Sequence, residues 1–131
     1  MAGEPILIVD DNAVNLKLLR ITLAVAGYDV QTAIDAEQAL SLLASFRPRL
    51  ILMDIQLPGM DGLELTRRLK ADPATRGAIV LAVTAYAMKG DEQRALAAGC
   101  DGYVTKPIDT RTLASTVARS LEHGSSRESC Q

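Results

Sequence analysis

Three aspartates stand directly after two apolar segments of the chain, and carboxylates in such positions can hold a metal ion or attack phosphorus. Asp10 and Asp11 end the segment that begins at Pro5, and Asp54 ends the one that begins at Arg49. If these segments are neighbouring parallel strands, the carboxylates converge, and two of them ~5 Å apart repel by roughly 3 kcal/mol at an effective dielectric constant of ~20. Such a cluster needs a cation. Oxygen-only ligands favour Mg²⁺, which keeps several waters and uses one or two carboxylates with phosphate oxygens.

A hydroxyl and an amine end two further apolar segments. Thr84 ends the segment that begins at Ala78, and Lys106 ends the one that begins at Gly102. A carboxylate beside Mg²⁺ can act as a nucleophile toward phosphorus and form an acyl phosphate. A metal, a lysine and a hydroxyl then bind the remaining phosphoryl oxygens. Asp54, Thr84 and Lys106 fit the roles of nucleophile, hydroxyl and lysine.

The loop after the first segment argues against a mononucleotide-binding loop. Such a loop needs glycine, serine or threonine donors that face the phosphate. Here the loop is Asp10-Asp11-Asn12, whose carboxylates would repel a phosphate unless a metal ion came between them. The alternative for Asp10 and Asp11 is that they cap the helix that follows. Capping does not explain why charged or polar groups end four of the five apolar segments.

The elements that must position these residues alternate between short strands and amphipathic helices. Strand-like segments are predicted at Pro5–Asp10, Tyr28–Ala33, Arg49–Asp54, Ala78–Thr84 and Gly102–Lys106. Apolar residues at helical spacing lie between and after them, and they indicate one helix after each strand. These residues are Val14, Leu18, Ile21 and Val25 for the first helix, Ala36, Leu40 and Leu43 for the second, Leu65 and Leu69 for the third, the stretch Asp91–Ala98 for the fourth, and Leu113, Val117 and Leu121 for the fifth.

This alternation predicts an α/β fold, a (βα)₅ doubly wound parallel sheet of five strands. The third and fourth segments are continuously apolar, as expected of central strands that are covered on both faces. A flavodoxin-like strand order of 2-1-3-4-5 places the first and third strands side by side, where ligands bind at the carboxyl ends of the strands. We expect one domain over residues 1–122 and a polar, disordered tail over residues 123–131.

Composition excludes several classes of function. The net charge is −2 and only four residues are aromatic, which does not favour binding to nucleic acid or to an anionic membrane. No secretory signal and no apolar run of the ~20 residues that span a bilayer is present. Cys100 and Cys130 have no CxxC spacing and are interpreted as reduced thiols. We therefore expect a cytoplasmic protein.

Four short motifs carry the most specific signal. They are Ile6-Leu-Ile-Val-Asp-Asp11, Leu52-Met-Asp-Ile-Gln-Leu-Pro-Gly-Met-Asp-Gly62, Val83-Thr-Ala85 and Tyr103-Val-Thr-Lys-Pro107. In this order and spacing, over about residues 5–122, they resemble the receiver (CheY-like) domain of bacterial two-component response regulators. The stretches around Asp54 and after Thr84 look most like the DivK-type single-domain regulators, and the receivers of hybrid histidine kinases look similar.

The resemblance implies that Asp54 accepts a phosphoryl group from a histidine kinase or a histidine phosphotransfer protein. It implies that Asp11, Asp54 and the backbone carbonyl of Gln56 ligate Mg²⁺ directly, while Asp10 acts partly through water. Mn²⁺ or Ca²⁺ is expected to substitute in vitro. Lys106 would pair with the phosphoryl oxygens.

The same resemblance implies a conformational output rather than the turnover of a substrate. Thr84 would bind the phosphoryl group and draw the following loop inward, and Tyr103 would swing from an exposed to a buried position. A downstream protein would dock on the fourth helix, fifth strand and fifth helix. Gln56 and Tyr86 would set the lifetime of the phosphoryl group. The only chemistry of the protein would be self-catalysed phosphotransfer and slow autodephosphorylation. Taken alone, Thr84 and Tyr103 also have a structural interpretation, since both residue types favour strands.

Two alternatives stay open. The chain could be the receiver of a hybrid histidine kinase or of a longer regulator, acting as a phosphate relay or sink, although Met1 lies close to the first strand and favours a stand-alone protein. It could also be an aspartate-nucleophile, Mg²⁺-dependent phosphatase of the haloacid dehalogenase type. That family uses a second aspartate two residues after the nucleophile, where this chain has Gln56.

Overall fold

The computed structural model describes residues 3–55, 62–84, 89–105 and 108–129, with the backbone alone at 89–92 and 123–129. Strands and helices alternate along these residues, as the sequence predicts. The strands are β1 (Pro5–Val9), β2 (Asp29–Ala33), β3 (Leu50–Asp54), β4 (Ile79–Thr84) and β5 (Gly102–Thr105). The helices are α1 (Ala13–Val25), α2 (Ala36–Leu43), α3 (Gly62–Ala71), α4 (Lys89–Ala98) and α5 (Thr110–Ser129).

The strands form one parallel sheet in the order β2-β1-β3-β4-β5, which confirms the predicted topology. Every residue of β3 and β4 is buried, because helices cover these central strands on both faces. One face packs against α1 and α5 and the other against α2, α3 and α4. The charged residues at the strand ends therefore sit on a rigid, dry scaffold.

The first helix turns a different face to the sheet from the one that its spacing predicts. Val14, Leu18, Ile21 and Val25, here called the α1 stripe, are exposed, with Val14 at 76 % and Val25 at 83 % exposure. The buried side chains are instead those of Leu16, Leu19 and Leu23. Both sets recur at helical spacing and lie on nearly opposite sides of the helix. The prediction was wrong because periodicity alone does not say which of two apolar faces meets the core.

The remaining helices follow their predicted faces more closely. Leu65 and Leu69 of α3 are buried, as are the three predicted residues of α5 (Leu113, Val117 and Leu121). In α2, Ala36 and Leu43 are buried as predicted, whereas Leu40 is 38 % exposed and Ala39 is buried in its place. Helix α5 runs to Ser129, through most of the segment predicted as a disordered tail. That segment contains no proline and a single glycine, so nothing in it forces the helix to end earlier.

A half-buried ion pair between Lys70 of α3 and Asp101 lies at the amino ends of β4 and β5. This is the end of the sheet opposite the aspartates. The Lys70 ammonium lies 3.0 Å from Asp101 and donates to the Ala78 carbonyl at 2.7 Å. The Asp101 carboxylate also accepts from the Val80 N–H at 2.9 Å. Among the residues described, no helix is long and apolar enough to cross a membrane.

Candidate functional site

Two of the three aspartates are buried at adjacent strand ends. Asp54 is the last residue of β3, and Asp10 follows β1 directly. Val9 and Met53 are in register, so the next positions along the two strands are Asp10 and Asp54, on the side of the sheet that α1 and α5 cover. Both are at most 3 % exposed, whereas Asp11 is exposed.

The three carboxylates form one cluster. Each of Asp10, Asp11 and Asp54 offers an oxygen that lies within 4.8 Å of the others. At that spacing each pair of ionised groups repels by about 3 kcal/mol at an effective dielectric constant of ~20. Three hard oxygen donors at the carboxyl edge of a parallel sheet fit a divalent cation such as Mg²⁺. The three carboxylates therefore converge, and together they could hold a metal ion.

The capping alternative is resolved by Asn12. Its side-chain oxygen accepts from the N–H groups of Val14 at 2.9 Å and Asn15 at 3.0 Å, so Asn12 is the N-cap of α1. Asp10 accepts from the Asn12 N–H at 2.9 Å and thereby holds the loop in shape. The cap therefore does not use Asp11, whose carboxylate lies instead in the cluster. The sequence carried the signal for this cap, because asparagine stands directly before the first apolar turn.

The two predicted switch residues lie on neighbouring strands. Thr84 is the last residue of β4 and is buried at 5 % exposure. Tyr103 of β5 is 39 % exposed and is in register with Ala82, two residues before Thr84. Register partners in a parallel sheet point to the same side, so Tyr103 and Thr84 share the face that packs against α3 and α4. Tyr103 is exposed in this structure, and its predicted swing to a buried position stays a prediction.

Three further predicted residues lie outside the described part of the chain. They are Lys106, Gln56 and Tyr86. Their roles as phosphoryl partner, metal ligand through the backbone carbonyl, and determinants of lifetime stay predictions.

Cys100 is a buried thiol away from the aspartates. It lies in the middle of the α4–β5 loop, and its Sγ is 3.9 Å from the hydroxyl of Thr66. Burial raises the pKa of the Cys100 thiol above its usual value, an effect that the Thr66 hydroxyl partly offsets. The thiol is therefore protonated at neutral pH, which matches its interpretation as a reduced core residue.

Comparison with protein families identifies this arrangement. The model for the response regulator receiver domain matches residues 6–118, which include both strand ends of the carboxylate cluster. The chain belongs to the response regulator receiver family. It is thus a receiver of two-component signalling, as the four sequence motifs predict.

Individual relatives agree with this membership. The receiver is 46 % identical to the polar-differentiation response regulator DivK of Brucella anthropi over 87 % of this chain and 93 % of that protein. A CheY-like receiver domain protein of Methanospirillum hungatei superposes with a TM-score of 0.87 and 31 % identity, covering 96 % of this chain and 99 % of that one. The receiver domain of a histidine kinase of Syntrophus aciditrophicus gives a TM-score of 0.84 and 35 % identity over 92 % of both chains.

Repulsion within the cluster predicts that the metal-free receiver gains stability when one carboxylate is neutralised. Asp11→Asn should raise the melting temperature in EDTA, because it removes two repulsive pairs and leaves the Asn12 cap in place. Asp29→Asn, at an exposed position at the start of β2, is the matched control and should change little. Differential scanning calorimetry of both variants measures the effect. A lower melting temperature for Asp11→Asn would show that the carboxylates do not repel one another as their spacing requires.

Proposed function

We propose that this receiver accepts a phosphoryl group on Asp54 from a histidine kinase or a histidine phosphotransfer protein and passes the signal to a protein partner. The observation that carries the proposal is the carboxylate cluster, in which Asp54 lies within 4.8 Å of Asp10 and Asp11 at the carboxyl edge of the sheet. Membership in the receiver family supports the same role. Cytoplasmic location is part of the proposal and agrees with the reduced state proposed for Cys100.

The cluster fits Mg²⁺ as the cofactor, with Mn²⁺ or Ca²⁺ as substitutes in vitro. Asp11, Asp54 and the backbone carbonyl of Gln56 would hold it directly, and Asp10 would do so partly through water. When bound, the ion neutralises the carboxylates and the phosphoryl oxygens that approach them. Because the ion would bind the folded state and not the unfolded state, it would also stabilise the fold by mass action.

The transfer forms a P–O bond to a carboxylate oxygen of Asp54 and breaks the P–N bond of the donor. The donor imidazole leaves as a neutral ring when its second nitrogen carries a proton. Asp54 is held at a strand end between buried neighbours, so its carboxylate is positioned before the donor arrives. Lys106 and Thr84 would bind the phosphoryl oxygens. Because the chain supplies only positioning and charge, its own chemistry is limited to this transfer and slow autodephosphorylation, with Gln56 and Tyr86 setting the lifetime.

Neutralising the proposed acceptor should abolish phosphorylation. Asp54→Asn is expected to take no label from acetyl phosphate or from a phosphorylated histidine kinase, while circular dichroism shows an intact fold. EDTA should also stop labelling of the wild-type protein. Asp29→Asn controls for the loss of a carboxylate away from the cluster. Alkali-labile label retained on Asp54→Asn at the wild-type level would assign the acceptor to another carboxylate.

The α1 stripe supplies a surface for the phosphoryl donor. It begins at Val14, three residues after Asp11, and the 11 residue steps from Val14 to Val25 extend about 16 Å along the helix. Lys17 and Arg20 are exposed on one flank of the stripe, and α1 contains no acidic residue. A partner helix with an apolar seam and acidic residues beside it therefore complements this face.

A second copy of the chain is a poorer occupant of the same face. In a two-fold symmetric, antiparallel pairing of two α1 helices, the same flank of each copy faces the other. Lys17 and Arg20 of one copy would then meet Lys17 and Arg20 of the next, and like charges repel. Continuity with Asp11 and Asp54 favours the donor, which must bring its histidine to the acceptor.

This docking surface predicts a loss that depends on the donor. Leu18→Gln, in the middle of the α1 stripe, should slow transfer from a histidine kinase that phosphorylates the wild-type chain by about tenfold or more, as expected for an apolar interface anchor. Labelling by acetyl phosphate should be unchanged, because that donor needs no protein surface. Leu40→Gln, at an exposed leucine of α2, is the matched control. Equal transfer to both variants would place the donor on another face.

The output is proposed to pass from Thr84 to Tyr103 and the surface formed by α4, β5 and α5. Thr84 and Tyr103 lie on one face of the sheet on neighbouring strands. Leu96 of α4 is 51 % exposed and, with the ring of Tyr103, gives this surface apolar character suited to a protein target. A phosphoryl group on Asp54 adds charge and acceptor oxygens, which Thr84 would meet by moving toward it. That movement would draw the loop after β4 inward and make room for the tyrosine ring.

Removing the Thr84 hydroxyl should uncouple the phosphoryl group from this surface. In wild type, beryllofluoride, a phosphoryl mimic, is expected to shift the amide resonances of Tyr103 and Leu96. In Thr84→Ala these shifts should shrink, while those of Asp54 persist. Thr84→Ser keeps the hydroxyl and should behave as wild type. Shifts confined to the metal site in wild type would indicate a phosphate sink instead of a switch.

The second candidate is a relay receiver of a hybrid histidine kinase. The similarity to the histidine kinase receiver of Syntrophus aciditrophicus favours it, and the similarity to DivK over 93 % of that protein favours the stand-alone regulator. Return of the phosphoryl group from Asp54 to a phosphotransfer histidine within seconds, with no partner bound at α4-β5-α5, would decide for the relay.

A further inference from the structure

The first residue of α3 packs against the backbone of Asp54 with no side chain between them. A Cβ atom at Gly62 would lie 2.9 Å from the Asp54 carbonyl carbon and 3.0 Å from Ile55 Cα, and closer still to the Asp54 carbonyl oxygen. Carbon atoms in contact lie about 3.5–4.0 Å apart, so any other residue forces one backbone to move. Gly62 is not among the described glycines with a positive φ, which include Gly27 and Gly99. Glycine is therefore needed at position 62 for space and not for an unusual φ.

The start of α3 is fixed by contacts on both sides of Gly62. Its N–H donates to the Ile55 carbonyl at 2.9 Å. Its carbonyl accepts from the hydroxyl of Thr66 at 2.8 Å, and Thr66 is fully buried. Leu63 and Leu65 are buried in the core beside it. Because protein interiors are close-packed, the helix cannot retreat without opening a gap in this core.

The end of β3 lies directly against this contact and is itself paired with β4. Asp54 is in register with Val83, and the Ile55 N–H donates to the Val83 carbonyl at 3.1 Å. A side chain at position 62 would therefore press on the last paired peptides of the strand. The Asp54 carboxylate is attached to one of them, and it must keep its oxygen within 4.8 Å of Asp10 and Asp11.

We propose that Gly62 is a positioning residue for the phosphoacceptor. Its missing side chain lets α3 hold the Asp54 peptide where the carboxylate meets both the other aspartates and the incoming phosphorus. This inference rests on the proposed function of Asp54. A displacement of about 1 Å at a reacting group can lower a rate ~100-fold, so the contact acts on chemistry as well as on folding.

The test compares three glycine variants at a temperature where all are folded. Gly62→Ala is expected to lower the rate of Asp54 labelling by acetyl phosphate at least about tenfold and to weaken Mg²⁺ binding, measured by calorimetric titration. Gly99→Ala should lower the melting temperature, because Gly99 has a φ of +108° and a Cβ there would lie 2.9 Å from Lys70 Cγ, yet leave the rate unchanged. Gly77→Ala should change neither, since its Cβ would meet nothing within 4 Å.

The outcomes separate positioning from stability. A wild-type rate and Mg²⁺ affinity in Gly62→Ala would overturn the proposal, and so would equal rate losses in Gly62→Ala and Gly99→Ala at equal folded fractions. A wild-type chain that takes no label would instead overturn the proposed function. In that case the amide resonances of Asp54, Ile55 and Val83 in the metal-free variants still report whether Gly62→Ala moves the strand end.

A second pair of variants tests the same contact if Gly62→Ala does not fold. Thr66→Val removes the hydroxyl that holds the Gly62 carbonyl and should slow labelling several-fold, with shifted Asp54 and Ile55 amides. Thr66→Ser keeps that hydroxyl and should restore the wild-type rate and shifts. Wild-type values in Thr66→Val would show that the anchoring of Gly62 does not control the acceptor.

Discussion

The mutual repulsion of three carboxylates is the interaction on which the rest of this receiver depends. Asp10, Asp11 and Asp54 present oxygens within 4.8 Å of one another, and a protein tolerates this only where the backbone is held firmly by other forces. Here the buried strands β1 and β3 supply that support, since their hydrophobic burial outweighs the electrostatic cost. This cost is consistent with the proposed function, in which the cluster would bind a cation and, with it, an anionic phosphoryl group that would otherwise be repelled.

The two faces of the sheet carry different groups of candidate site residues. Asp10 and Asp54 are on the face of the sheet that packs against α1 and α5, near the exposed α1 stripe. Thr84 and Tyr103 lie on the other side, which packs on α3 and α4. In the proposed function, the donor therefore approaches from one side and the response develops on the other. The carboxyl edge of the sheet joins the two, so the acceptor and the proposed switch stay close without sharing a docking surface.

The sequence predicts the fold and the cluster well because both depend on local signals. Alternating strand and helix patterns give the parallel sheet, and charged residues at the ends of apolar segments give its functional edge. The face of α1 was predicted wrongly because Leu16, Leu19 and Leu23 compete with the α1 stripe at the same period. The role proposed for Gly62 could not be predicted from the sequence either. A glycine before a helix suggests a turn, and only the packing of α3 on Asp54 shows that the glycine is needed for a close approach.

Substitutions in the carboxylate cluster and on the α1 stripe should have different effects on the receiver. The cluster and the contact at Gly62 are constrained by electrostatics and by close packing, so substitutions there should act directly on Asp54, the proposed acceptor. The α1 stripe is exposed, and surface substitutions usually change stability by less than about 0.5 kcal/mol. If the donor docks on α1 as proposed, its recognition can vary there at little cost to folding. The ion pair of Lys70 and Asp101 lies at the opposite, amino end of the strands, away from the carboxyl end where the metal and the donor are proposed to bind.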